Sequence, residues 1–569
     1  MYWNPTGSEP SPPPSPSTPL SDSNAASSQS SQGDSVPSRP SPIRLYTDCY
    51  NTDAMLNADA EIRKKARVEG DDDDIEYAVL PLLLWSDATH LSSFRAASLW
   101  PIYLYFGNLS KYIRGRPTEF AAHHLAYIPE LPDDLKDAYM EAYGQAPTAD
   151  VLTFCKRELF NQVWLLLLDV SFKEIFEHGI KVMCGDGVVR RLFPRFFTYS
   201  ADYPEKMLIA ALKPLARCLC PRCLVTQTQV ADAGTPRDER RRAQTRMDDH
   251  PLHDSISRAW RWIFEGHRMT SKRVKDHYEL LAPDLMHEFE LGVWKGIFTH
   301  LMRLLAAQGD DAVETFNSWM RRMPTFGRAR IRKFWHDVAS RKKLAARDYE
   351  AFLQTVMPAF EGLLPLCDNQ MVGDLLFELA NWHALAKLRL HTDVTLDIFR
   401  AATKTMYDAV RNFSSTTCAR YATYELPKEA QARARRASKL STMSSSTGPK
   451  RVRFNVPNTF KYHSLGDYPD WIERLGPTDN YTTQVGELEH RHIKQFYART
   501  NKVGYAMQIA RKQRKRAALR ALRQHDTFTP LSETRRLDKD VKRAQAEARA
   551  RAKPDTAEPD ITSIYTGAV

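Results

Sequence analysis

Long apolar runs are missing from this chain. The longest, such as Val163–Leu168 and Ala78–Trp85, fall far short of the ~18–20 residues that span a bilayer, so no membrane partner is expected. A basic-then-apolar leader pattern is missing from the N-terminus as well. Cysteine is scarce, with eight in 569 residues, and three crowd into Cys218, Cys220 and Cys223. That is too uneven for a disulfide framework and predicts a soluble protein of a reducing, intracellular compartment. Apolar residues are almost missing from the first stretch: residues 1–42 hold ten prolines and 13 serines. Such a segment cannot offset its ordering entropy by burial and is expected to be disordered. There is no fixed-period repeat. No two-Cys two-His zinc finger or helix-turn-helix signature supports sequence-specific DNA reading by a motif.

What is present is charge in particular places. The formal net charge is +11. Lys428–Arg453 carries a net +7 and Lys502–Gln524 a net +8, so the rest of the chain sums to −4. Local basic excess of this kind points to contact with a polyanion. In the second stretch Lys502, Arg511, Lys512, Arg514, Lys515, Arg516, Arg520 and Arg523 spread round an expected helix, and each phosphate they neutralise adds about one unit to the salt slope of binding. The runs Lys450–Arg453 and Arg511–Arg516 also suit nuclear import, which places the chain in the nucleus.

At 43% hydrophobic residues the chain can build sizeable cores, and its length predicts two or more domains. Ile75–Trp85 and Pro101–Phe106 read as strands, as do Ile180–Cys184 and Arg195–Tyr199 around the turn Gly185-Asp186-Gly187. Phe154–His178 reads as one helix, capped by Gly179. Strands followed by helices suggest an α/β layer. The middle reads as all-α. Leu285, Phe289, Val293, Ile297, Leu301 and Leu305 mark one face of a long helix over Asp284–Leu305, and further helices are expected at Arg347–Leu363, Gly373–Leu390 and Leu396–Phe413. After a basic linker, helices are expected around Glu487–Arg499 and within 503–524.

Asp87 ends an apolar strand. Asp202 also follows a strand-like run, and Asp202-Tyr203-Pro204-Glu205 is good helix-start chemistry, an N-cap worth about 1 kcal/mol. Glu487 and Glu489 lie in Gly486-Glu-Leu-Glu-His490. Each alone reads as an ordinary turn, cap or exposed helix acid. Their order suits a ribonuclease-H-like nuclease centre, in which three carboxylates converge on two divalent ions that activate a nucleophile and stabilise the leaving oxygen. Hard oxygen ligands suit Mg²⁺ or Mn²⁺. Cys220-Pro-Arg-Cys223, with Cys218 before it and His250 and His253 downstream, has ligand types and spacing that suit structural Zn²⁺. Reduced, partly buried thiols are the plainer reading. Asp284 and His287, one turn apart at the start of the long helix, read as a cap beside a half-buried histidine or as a metal or acid–base pair. Trp382-His383 reads as core.

These residues carry a resemblance. Ser86-Asp87-Ala-Thr89, then Tyr105-Phe-Gly-Asn108 with Arg114, Ala201-Asp-Tyr-Pro-Glu205, Cys220-Pro-Arg-Cys223, Ala282-Pro-Asp-Leu-Met-His287 and Gly486-Glu-Leu-Glu-His490 follow the order seen in Plavaka-type transposases, of the Kyakuja–Dileera–Zisupton group of fungal DDE transposases. The resemblance covers roughly residues 75–505. It implies DNA strand cleavage and joining with divalent metal, and a partner DNA bound by a homo-oligomer when active. Carried over by motif, Asp87 and Asp202 are the two aspartates. The family's Glu-x-x-His pattern matches Glu487 and His490, whereas the apolar face of the helix (Val485, Leu488, Ile493, Phe496, Tyr497) includes Glu489; Glu487 is favoured and Glu489 stays open. Such transposases often carry a zinc-finger-like segment near the N-terminus, where this chain has only Cys49 and Ser/Pro-rich sequence. An inactive, transposase-derived DNA- or chromatin-binding protein is therefore the alternative.

The expected fold is α/β plus all-α: a ribonuclease-H-like mixed sheet core interrupted by a large helical insertion. The expected division is a disordered segment 1–70, the first part of the core 71–215, the Cys-cluster and helical insertion 216–426, a basic flexible linker 427–454, the core completion with the glutamate and basic helices 455–525, and a charged tail 526–569.

Overall fold

The apolar run ahead of Asp87 forms the central strand of a mixed sheet in the computed structural model. The structure describes residues 2–3, 43–92, 97–246, 277–327, 330–339, 344–439, 448–526 and 543. The chain divides into two compact units, Met1–Arg491 and His492–Val569.

The sheet of the first unit is built from Glu76–Ser86 (β1), Thr89–His90 (β2), Ser98–Phe106 (β3), His123–Ile128 (β4), Ile180–Met183 (β5) and Val189–Ser200 (β6). β3 lies antiparallel on one side of β1, with Leu82 opposite Phe106 and Ser86 opposite Ile102. β6 lies parallel on the other side, from Glu76 beside Arg190 to Trp85 beside Ser200. β2 and β4 both pair antiparallel with β3, and β5 closes the far edge as a hairpin with β6. Leu82–Ser86 is buried without interruption, as a strand covered on both faces requires. One covering layer packs Phe160 and Trp164 of Ala149–Leu167 (α2) and Phe176 of Val170–His178 (α3) against Leu84, Ile102 and Tyr199.

The sequence pattern joins α2 and α3 into one helix. They are separate because Asp169 takes an extended conformation and accepts the Phe172 N–H at 2.8 Å, capping α3. Gly179 ends α3 at φ +69°, a backbone conformation open to glycine and strained for other residues. Residues 43–63, placed by composition in the Ser/Pro-rich segment, form a strand at Ile43–Tyr46 and a helix at Asp53–Arg63 (α1). Thr52 caps α1, and Ile62 is buried. Asp202 opens Tyr203–Ile209 (α4) as an N-cap, as its sequence suggests.

The helical block also forms. Lys295–Gln308 (α5), Asp310–Arg322 (α6), Ala346–Phe360 (α7), Leu366–Ala386 (α8) and Asp393–Ser415 (α9) share a large apolar core. All six residues of the expected stripe from Leu285 to Leu305 are buried. The first part of that helix, Met286–Trp294, is a π-helix. A spacing of four drifts ~40° per step round an α-helix; the wider π turn offsets this drift and keeps the stripe facing the core. Trp382 and His383 lie in this core, Trp382 stacked on Phe289 and His383 bonded to Glu290 at 3.0 Å. Within the basic linker, Pro427–Lys439 is helical. Gln484–Ala498 (α10) and Tyr505–Asp526 (α11) end the described fold. Among the described residues no helix is long and apolar enough to cross a membrane.

Candidate active site

Parallel pairing of β1 with β6 decides where the two aspartates go. Trp85 and Ser200 are register partners, and Asp87 and Asp202 each stand two residues further on. Both therefore leave the same end of adjacent parallel strands, the end at which open α/β sheets bind ligands. The residues just before them hold the third segment. Trp85 Nε1 donates to the Thr482 carbonyl at 2.9 Å, and Ser200 Oγ donates to the Tyr481 carbonyl at 2.6 Å. Gly486 sits so close to the Trp85 side chain that an added Cβ would lie 3.1 Å from its Cβ and 3.3 Å from its ring. This close approach puts the first turn of α10, with Glu487, beside Asp87. A cleft lined by Asp87, Thr483, Glu487 and His490 lies between them, over Trp85 and Gly486.

The three acids share one electrostatic environment. Asp202 uses one oxygen to accept the Glu205 N–H at 3.0 Å and has no ion-pair partner among the described residues. Asp87 is partly exposed, with Oδ2 3.4 Å from His490 Nε2; the other ring nitrogen of His490 meets the Tyr103 hydroxyl at 3.0 Å. Burial raises the pKa of the Glu487 carboxyl, and the charges of Asp87 and Asp284 add to this while His287 and His490 oppose it. Asp202 and Glu487 both favour the cationic form of His287. The carboxylates of Asp87 and Glu487 in this cleft, with that of Asp202 at the adjacent strand end, are a donor set that fits hard divalent cations.

Glu489 is elsewhere. It is buried, and its Oε1 lies 2.9 Å from His124 Nε2 on β4. Glu489 lies on the packed side of α10, as the apolar face of that helix implies, and for that reason it does not line the cleft.

Asp284 and His287 do form a pair, beside the cleft. Buried Asp284 accepts His287 Nδ1–H at 2.6 Å, the His287 N–H at 3.1 Å, the Thr483 N–H at 3.1 Å and the Thr483 hydroxyl at 2.8 Å. Burial pushes its carboxyl up, but the His287 hydrogen bond and charge outweigh this and hold it at about 2. Burial pulls His287 down, and the Asp284 hydrogen bond and charge overcome that, raising it to about 9. His287 is thus an imidazolium whose Nε2 faces Glu487 at 3.8 Å. Behind Asp87, buried Glu205 accepts bonds from Ser86 Oγ and, at 2.9 Å, Trp100 Nε1. Burial lifts its carboxyl to about 8, so it stays neutral near pH 7. Sequence reasoning gives no role to His490 or Glu205, although both stand inside the motifs that carry the resemblance.

Other residues of those motifs fasten the frame. Arg114 donates to Asp48 at 2.8 Å and to Asn480 at 3.0 Å, Asn108 donates to the Val79 carbonyl at 3.2 Å, and a Cβ on Gly107 would lie 2.7 Å from Pro81.

The cysteine cluster acquires a ligand from an unexpected place. Cys220, Cys223 and His463 are all buried, with candidate ligand atoms within 4.8 Å of one another. Cys223 Sγ lies 3.3 Å from His463 Nε2. Cys218 does not join them: its backbone bridges to Thr226, and its thiol faces the Leu224 carbonyl at 3.7 Å. His250 and His253 lie outside the described residues. Two sulfurs and an imidazole are a donor set that suits zinc. Burial raises the Cys220 thiol pKa, but the Cys223 hydrogen bond and the charges of Arg222 and His463 outweigh it and draw the value down. Asp238 Oδ1 lies 3.5 Å from His463 Nδ1, the carboxylate–histidine arrangement that orients a metal-binding imidazole.

In the second unit, α11 carries the basic residues. Arg511, Arg514 and Lys515 are exposed, and Lys512, Arg516 and Arg520 are half-buried. Arg516 lies over the Phe496 ring at 4.7 Å and Lys502 over Tyr497 at 4.0 Å. Arg523 is on the same helix.

Residues 38–305 match the family model described as Plavaka transposase. The resemblance read from the motifs is borne out over that stretch, which contains Asp87, Asp202, the Cys220–Cys223 pair and Asp284–His287, and ends before Glu487 and His463. No curated protein matches the chain.

Proposed function

We propose, with the Plavaka transposase match as premise, that this chain is a DDE-type DNA transposase that cleaves and joins DNA strands. The observation that carries the reading is that Asp87 and Glu487 line one cleft and that Asp202 leaves the neighbouring parallel strand at the same end as Asp87. The strand order, with β1 between antiparallel β3 and parallel β6, supports a ribonuclease-H-like core. Asp87, Asp202 and Glu487 would hold Mg²⁺ or Mn²⁺. Bound divalent metal would activate a water or 3′-hydroxyl and stabilise the leaving oxygen. The chain's own residues orient the acids: His490 steers Asp87, the Glu205 N–H fixes one oxygen of Asp202, and the Thr483–Asp284–His287 network buttresses Glu487. The exposed cations of α11 suit phosphate contact, and the import-like basic runs suit a nuclear protein acting as a homo-oligomer on DNA. Cys220, Cys223 and His463 would hold a structural zinc that ties residues 220–223 to residue 463.

The test is nicking of terminal-repeat DNA in Mg²⁺ or Mn²⁺. The wild-type chain nicks and Asp87→Asn does not; unchanged nicking by that variant sinks the assignment. A second reading, a catalytically inactive DNA-binding derivative, draws on the histidines that already face two of the acids. It requires salt-sensitive DNA binding without cleavage in any divalent metal.

A further inference from the structure

A third basic run, at residues 321–333, holds six Lys/Arg and no acid. It links α6 to α7 and is tied down at several points. Phe326 and Ile331 exchange backbone hydrogen bonds at 3.0 and 3.1 Å, and Gly327 beside Phe326 takes φ +60°. Phe334 is buried 5.5 Å from the Phe352 ring, Val338 is buried, the Ala339 N–H donates to Asn317 at 3.1 Å, and Arg321 bonds Asp337 and Glu314.

Between these anchors two large aromatic side chains stand in solvent. Trp335 is 76% exposed and Phe326 69% exposed. Burying an aromatic ring is one of the larger single gains open to a fold, and the neighbouring Phe334 shows that the core is within reach of this loop. In the same stretch of chain, Arg322, Arg330 and Arg332 are exposed and Lys333 is half-buried; none forms an ion pair among the described residues, and Arg330 feels an acid, its charge helping to lower the Glu350 pKa. Aromatic side chains on an anchored backbone, interleaved in sequence with mostly exposed cations, are the two parts of a single-strand binding platform: rings stack on bases and cations follow the phosphates.

We propose that this loop binds unpaired nucleotides, with Trp335 and Phe326 stacking on bases while Arg322, Arg330, Arg332 and Lys333 neutralise the adjoining phosphates. The identity of the strand as DNA rests on the transposase reading; the stacking surface does not need the metal site. A duplex hides its base faces, so the surface discriminates between paired and unpaired DNA.

The experiment is a titration of the full chain with a fluorescent oligothymidylate and, separately, with a fully paired duplex, in the absence of divalent metal. Trp335→Ala combined with Phe326→Ala is expected to weaken oligothymidylate binding by about 5- to 150-fold for each base left unstacked and to leave duplex binding within twofold. Trp335→Phe is expected to keep most of the affinity. Replacing Arg330, Arg332 and Lys333 by Gln lowers the salt slope for the single strand by about 0.7 for each phosphate no longer neutralised. The proposal is overturned if the alanine variant binds oligothymidylate like wild type, or if single strand and duplex weaken equally. Nicking in Mg²⁺ is scored in parallel. Nicking together with unchanged single-strand affinity in the variants overturns only the surface. Reduced single-strand affinity in the variants together with no nicking by wild type supports the surface and overturns only the nuclease reading.

Discussion

Trp85 Nε1 bonds the carbonyl of Thr482 at 2.9 Å, across 397 residues of sequence. One indole therefore fixes the distance between the strand that delivers Asp87 and the helix that delivers Glu487. Trp85→Phe removes the donor and leaves a carbonyl unpaired, which costs about 1–3 kcal/mol. The expected result is a modest fall in Tm and a much larger fall in metal-dependent nicking, because the acids lose their spacing. Nicking that falls only in proportion to the folded fraction would show that the bond has no positioning role.

Glu487 and Glu489 separate by readout. Glu487 has a side chain 40% exposed to solvent and Glu489 one that is 3% exposed. Glu487→Gln is expected to keep the melting temperature within a few degrees and to abolish nicking. Glu489→Ala leaves His124 without its carboxylate in a buried site, a change that costs about 3–5 kcal/mol where such a pair is charged. Its thermal melt should fall sharply while the surviving folded protein still nicks. Loss of nicking in well-folded Glu489→Gln, with activity kept in Glu487→Gln, would reverse the assignment.

The core strand, and the positions of Asp87 and Asp202 just past strand ends, were legible because a run buried on both faces is apolar at nearly every position, and Asp suits the turns and helix caps where such a run ends. The choice between the two glutamates was harder. The apolar face of α10 is real, but an acid on it is a buried, paired acid, so the residue best aligned with the stripe was the wrong one to expect in the cleft. His463 was out of reach, since 240 residues separate it from Cys223 and a search downstream at short spacing finds only His250 and His253. α1 was hidden for another reason. It buries only Ala58 and Ile62, too few apolar positions to stand out beside the Ser/Pro-rich segment.

His300 sets an acid limit on stability. It is buried beside Phe413 and Phe454, and burial, with a smaller contribution from the charge of Arg303, lowers it to about 4 from its usual 6.5. The folded state holds the ring neutral while the unfolded state takes up a proton. Its contribution is therefore present above about pH 6.5 and lost as pH falls through about 4, at most ~3 kcal/mol. His300→Leu should shrink the difference in Tm between about pH 7 and pH 5. An unchanged difference would show that other groups set the limit.

Zinc content distinguishes the ligand set found in the structure from the one the spacing suggested. The expected result is one zinc per purified chain, kept in Cys218→Ser and lost in Cys220→Ser and in His463→Ala. Thiols must lose their protons to bind the metal, so retention should weaken as pH falls. Because Cys220 and Cys223 lie on one segment and His463 on another far along the chain, a chelator should lower the melting temperature of the wild type and leave that of His463→Ala unmoved. Zinc retained in His463→Ala would remove this histidine from the site; zinc lost in Cys218→Ser would restore the cysteine that the structure sets aside.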